Sequence, residues 1–293
     1  FDGGANFEKT TFWSEGNSNY DQTGTYVHAD LRGAVCKDGV FWVNTDGLLC
    51  KSEDNGVSWE IFEGQSIREN YNLGVSQSNH YRTISGSQDN GTSIKTENSW
   101  IEFYGADGME GIIHPLNHDW MIGSFQFGGK RRTKDGGYTQ DGVGNVENGG
   151  WIAPLFYDPI DQMKIYSLGD KVTVSEDFGS TWNDLGTPFG LTESINYATI
   201  AENNSDNIVV TRGNQIKLSV DGGTTFTSIE SNLPNNYITD VAFDPNNDDI
   251  IIVTYGSYNG NNNKVYVTYD QGNTWQNITY NLGYLPVRSV VID

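Results

Sequence analysis

The sequence predicts an all-β fold of short strands, and three observations carry that expectation. The 293 residues include 35 Gly, and Phe, Trp and Tyr make up 13% of the chain. That composition suits short strands joined by tight turns rather than long helices. An aspartate-centred turn signature recurs along the chain, and its copies are separated by short apolar stretches of strand length. No run of about 18 apolar residues occurs, so no helical membrane span is expected.

The recurring turn reads SEDNGVSW at 52–59, SEDFGSTW at 175–182, SVDGGTTF at 219–226 and TYDQGNTW at 268–275. TKDGGYTQ at 133–140 is a copy without the closing aromatic. The central residues Asp54, Asp135, Asp177, Asp221 and Asp270 stand 81, 42, 44 and 49 positions apart. The long interval is close to two short ones, and TENSWIEF (96–103) sits midway through it as a contracted turn. Asp2 lies 52 residues before Asp54 and reads as one more copy, so the chain is expected to begin inside a repeat. The Asp accepts backbone hydrogen bonds within the turn, and the Gly supplies a positive φ. The closing aromatic (Trp59, Trp182, Trp275) covers the hairpin with apolar area. These boxes are expected to be structural.

Each repeat has the same internal order. A first strand (IAPLFY, INYATIA, ITDVAF) leads into a turn at Asp158–Pro159, Asp244–Pro245 or His114–Pro115. A second strand (KIYSL, NIVVT, IIIVTY), a loop and a third strand follow, the last running into the boxed turn. A fourth strand starts at the box aromatic. Four strands in a repeat of about 40–50 residues make the blade of a β-propeller. Seven boxed or degenerate turns predict about seven blades, within a range of six to eight. The final segment, 285–292, is expected to be the innermost strand of a blade completed by residues after Phe7. Residues 1–293 thus read as a single propeller domain, a piece of a longer chain.

The two cysteines, Cys36 and Cys50, fall on the outer strands of a three-stranded segment, both opposite a middle-strand residue near Phe41. Two strand intervals separate their Cα atoms by about 9–10 Å, beyond the roughly 7 Å limit of a disulfide. Free thiols are expected. With 17 Lys and Arg against 38 Asp and Glu, the net charge is -21. Such a surface repels nucleic acid and anionic lipid and leaves cations and neutral ligands as partners. Arg131 and Arg132 are expected to decorate an outer strand.

The boxes resemble Asp-box (BNR) repeats, and the likeness runs through the whole chain. YVHADLRG, SGSQDNGTS and YGADGMEGIIHP resemble more narrowly a secreted bacterial group related to VPS10/sortilin and xyloglucanase-type propellers. The resemblance implies a secreted or cell-surface location and a non-enzymatic binding or structural module for a glycan or an extracellular protein. Its alternative is a fragment of a xyloglucanase-type glycoside hydrolase. A sialidase is disfavoured, because no Arg-Ile-Pro tripeptide occurs.

Propeller topology places His28, Asp30, Asp46, Asp89, Asp107 and Glu110 on the face opposite the boxes. Carboxylates gathered there would suit a Ca²⁺ ion, or a sugar stacked on Tyr71, Trp151 and Phe127. Alternatively their Asp-Gly and Asn-Gly pairs are only turn formers. The four histidines form no metal-ligand motif. His114 replaces the Asp of the Asp-Pro turns and reads as a turn residue.

Overall fold

The computed structural model describes residues 9, 11–12, 26–45, 48–62, 68–258 and 263–292. The chain divides into two compact units, Phe1–Glu69 with Gln88–Asn90, and Asn70–Ser87 with Gly91–Asp293. Among the described residues no helix is long and apolar enough to cross a membrane.

The first unit holds one antiparallel meander of β1 (Leu31–Lys37), β2 (Val40–Thr45), β3 (Leu49–Ser52) and β4 (Glu60–Phe62). Val27, Val43 and Cys50 form its buried centre, with Trp59 and Ile61 packed against them. Cys36 and Cys50 are both free thiols. Their expected register needs correction: Cys36 faces Phe41, but Cys50 faces Val43. The Thr45 N–H bonds to the Leu48 carbonyl at 2.9 Å, which closes the β2–β3 hairpin on that pair and slides Cys50 two residues along.

The second unit holds five more four-stranded meanders. The first has β5 (Asn70–Val75), β6 (Thr83–Ser87), β7 (Gly91–Lys95) and β8 (Trp100–Tyr104). The second has β9 (Gly108–Ile113), β10 (Met121–Phe125), β11 (Gly129–Thr133) and β12 (Asp141–Gly142). The third has β13 (Leu155–Tyr157), β14 (Ile165–Leu168), β15 (Val172–Ser175) and β16 (Asn183–Asp184). The fourth has β17 (Tyr197–Ala201), β18 (Asn204–Arg212), β19 (Gln215–Ser219) and β20 (Thr227–Ser228). The fifth has β21 (Ile238–Asp244), β22 (Asn247–Tyr255), β23 (Val265–Thr268) and β24 (Gln276–Asn277).

These sheets pack face against face, and each core cluster of the second unit is shared by two consecutive sheets. Strand β18 shows why. Ile208 and Val210 join Tyr166, Leu168 and Val172 of the preceding sheet, whereas Val209 joins Val241, Ile251 and Val253 of the next. A strand buried on both faces must be apolar at consecutive positions, which is why NIVVT does not alternate. Between β6 and β9 the approach is closer still. A Cβ on Gly86 would lie 2.0 Å from the Met109 carbonyl oxygen, so only glycine lets these backbones meet.

Six four-stranded sheets form among the described residues, where the turn spacing predicts seven. Asp2 and the strand expected after Phe7 lie outside the described residues. Residues 285–292 add no strand. Their Val287 N–H bonds to the Tyr255 carbonyl at 3.2 Å, and Val290 N donates to Asp240 at 3.0 Å. The segment therefore meets β21 and the end of β22 through isolated bonds instead of a ladder.

Candidate functional site

The boxed turns share one hydrogen-bond pattern. Asp177 accepts from Ser175 Oγ, Thr181 N and Thr181 Oγ1, each at 2.8 Å. Asp54, Asp135, Asp221 and Asp270 repeat the pattern with Ser58, Thr139, Thr225 and Thr274. Hydrogen bonds led by the Ser58, Thr139 and Thr225 hydroxyls hold Asp54, Asp135 and Asp221 down to about 2. Trp182 and Trp275 donate their indole N–H to Val143 and Ile229 of the preceding sheets, at 2.6 and 2.8 Å. Trp59 packs on the first unit's core. Asp2 lies outside the described residues.

The hydroxyl two places before each Asp does a second job. Ser175 Oγ accepts the buried Gly179 N–H at 2.7 Å. Ser175→Ala is expected to cost about 1–3 kcal/mol, the penalty for stranding a buried donor. Urea unfolding would read it, and an unchanged midpoint would contradict this role.

The Pro turns are tied in a related way. Asp158 accepts from Ile160 N and Asp161 N, at 2.8 and 3.0 Å. In the equivalent turn His114 Nδ1 accepts from Leu116 N and Asn117 N, both at 3.2 Å. Imidazole nitrogen here does the work of a carboxylate oxygen. Arg132 departs from expectation. It lies on the third strand of its sheet and is buried, donating to the Phe178 carbonyl at 3.0 Å and to Ser180 Oγ at 2.7 Å. A guanidinium can be buried there because the next boxed turn offers it these acceptors.

Each described candidate has its own local setting. Asp46 lies outside the described residues. In the first unit, His28 Nδ1 sits 3.2 Å from the Ala29 carbonyl, and Asp30 and Asp89 are turn residues with φ of 56° and 55°. In the second unit, Gln126 donates to Asp107 at 3.2 Å, and Glu110 accepts from the Asn72 amide. Among the described residues no group of three or more His, Cys, Asp and Glu is placed to hold a metal ion.

Glu110 instead faces a cavity of about 620 Å³ within the second unit. Its wall is drawn from β5 (Tyr71, Asn72), β9 (Glu110), β13 (Leu155, Phe156), β17 (Tyr197, Ala198) and β21 (Asp240), which are the first strands of all five sheets. Trp151, Asn196 and Tyr237 complete it from the segments leading into three of those strands. Trp151 donates its indole N–H to the Tyr71 hydroxyl at 3.1 Å, and Phe127 meets Trp151 edge-on at 5.6 Å. The three aromatics expected to stack a ligand thus form one chain of contacts. Burial pushes Glu110 up to about 7, against the opposing pull of Asn72. Burial and the neighbouring Tyr237 push the Tyr197 hydroxyl up to about 12. Asp240 is anchored by Ser289 Oγ at 2.8 Å and by the N–H groups of Val241 and Val290.

Tyr197, Tyr237, Asn196 and Asp240 were not among the sequence candidates. Tyr197 and Asp240 stand on first strands, as Glu110 does, with no local motif to mark them.

Five first strands converging on one cavity, with sheets stacked face to face, match known architectures. An ancestral GH74 enzyme superposes with a TM-score of 0.59 at 16% identity, covering 72% of this chain. The fold is a β-propeller. The chain spans only 31% of that enzyme's length. YCF48 from Cyanidioschyzon merolae matches over 87% of this chain and 86% of its own, with a TM-score of 0.54 and 14% identity. YCF48 bound to D1 peptide matches over 83% of this chain and 79% of its own, with a TM-score of 0.51 and 14% identity. The family described as Sortilin, neurotensin receptor 3, matches residues 170–285. The resemblance to sortilin-related and xyloglucanase-type propellers is borne out. No curated protein is significantly similar in sequence.

Proposed function

We propose that this propeller is a non-enzymatic binding module of the cell surface or extracellular space, and that its Asp boxes are purely structural. Its ligand, a segment of a partner protein or a glycan, enters the cavity walled by Tyr71, Trp151, Phe156, Tyr197 and Tyr237. One observation carries the reading: rings, two carboxylates and two amides converge from five strands on one open cavity. Binding sites combine apolar and aromatic walls with a few placed polar groups in this way. The YCF48 structure with a bound D1 peptide supports a peptide as ligand for this architecture. The sortilin family match supports an extracellular or lumenal setting.

The test is retention on a glycan array and on a random hexapeptide library. Trp151→Ala is expected to lower the retained signal at least tenfold, because aromatic anchors dominate such contacts. Wild-type protein that retains neither probe, or a variant that binds as wild type, would sink the reading. A second reading, glycoside hydrolysis, draws on Glu110 and Asp240 sharing the cavity with Glu110 raised into the range of a general acid. Released sugar from xyloglucan oligosaccharides, lost in Glu110→Gln, would favour it over simple binding.

A further inference from the structure

We propose that the cavity selects a basic side chain, the Lys or Arg of a protein segment, held between its aromatic rings and its two carboxylates. This rests on the cavity being the binding site, and it names what the site prefers. The lining contains Glu110 and Asp240 and no Lys, Arg or His. Arg288, which is exposed, acts on Tyr197 from outside the lining. One exposed cation outside the lining leaves the two lining carboxylates in excess.

The neutral partners of those carboxylates orient them without neutralising them, and Glu110, raised to about 7 by burial, gives up its proton once a cation sits beside it. Asn72 donates to Glu110, and Ser289 and Val290 donate to Asp240. A ligand that brings a positive charge gains from both carboxylates. An uncharged sugar leaves them uncompensated, and an acidic segment or free C-terminal carboxylate is repelled. The rings act in the same direction, since the faces of Trp and Tyr attract ammonium and guanidinium groups. The remaining wall suits the rest of such a side chain. Ile152, Leu155 and Phe156 offer apolar surface to the alkyl stem that Lys and Arg bury while their charge seeks a polar partner. At about 620 Å³ the cavity is too large for a bare ion and admits a segment of chain around the side chain. The net charge of -21 adds long-range attraction for a basic partner.

A bead library of hexapeptides, acetylated at one end and amidated at the other, removes terminal charges and isolates the side chains. At pH 8, where Glu110 is ionised, beads carrying central Lys or Arg are expected to be retained at least tenfold over matched Gln and Met beads. Glu110→Gln, which keeps the size of the side chain and an acceptor for Asn72, should bring that ratio down toward one. Its melting temperature at pH 5, where Glu110 is protonated in the folded wild type, should match the wild type and so show intact folding. Retention that Trp151→Ala abolishes, but with Gln and Met favoured equally or Asp and Glu preferred, overturns this proposal and leaves the cavity as the binding site. Retention of oligosaccharides alone overturns the basic-segment proposal. Retention unaffected by Trp151→Ala overturns both readings.

Discussion

Phe178→Ala is expected to destabilise the protein by about 3–5 kcal/mol, the range for emptying a buried aromatic site. Phe178 occupies the fourth position of the SEDFGSTW turn, where the other boxes carry Asn, Gly or Gln. Its φ is 53°, a left-handed conformation that costs a non-glycine residue roughly 1–2 kcal/mol. The gain lies in the ring, which is fully buried with Ile112, Ile122 and Ile165, 5.2 Å from His114 and 6.0 Å from Trp120. Its backbone is also held, since the N–H bonds to the Met163 carbonyl at 2.9 Å and the carbonyl accepts from Arg132. Alanine would keep the strain and lose the ring. Phe178→Gly would lose the ring and relieve the strain, so it should unfold at a higher urea concentration than Phe178→Ala. Equal midpoints for the two variants would show that the turn is not strained.

That turn shows where the sequence is legible. All the partners of the box Asp lie within four residues of it, so a local motif records a complete hydrogen-bond unit. Strands such as NIVVT and IIIVTY are legible because burial on one or both faces sets their apolar pattern. The cavity is written differently. Tyr71, Glu110, Trp151, Tyr197 and Asp240 come from five separate repeats, and only the fold brings them together. Tyr71, Trp151 and Phe127 could be suspected from residue type alone, but Tyr197 and Asp240 look like ordinary members of apolar strands. Arg132 was hidden for the same reason. Its acceptors, Phe178 and Ser180, lie more than forty residues downstream in the next boxed turn.

Wild-type stability should fall relative to that of Glu110→Gln as pH rises from about 5 to 8. Burial raises the folded-state pKa of Glu110 from 4.5 to about 7. Between those values the folded protein keeps a proton that the unfolded chain has released, so raising the pH favours unfolding. The stability this group contributes is fully present below about pH 4.5 and lost as pH passes through 7. The difference amounts to at most about 3 kcal/mol, reduced by solvent reaching Glu110 through the open cavity. Other groups titrate with the opposite sign. Burial lowers the His114 pKa, so its contribution is lost as pH falls through the usual histidine range. The box aspartates are depressed by their hydrogen bonds and lose theirs only as pH falls from about 4 toward 2. Lys130, lowered by burial to about 8, matters chiefly above the measured window. Wild type and Glu110→Gln share all of these, so the difference between their urea midpoints isolates Glu110. That difference should grow in favour of the variant from pH 5 to pH 8. A difference independent of pH would show that Glu110 carries no raised pKa, and that its carboxylate is ionised in the cavity throughout.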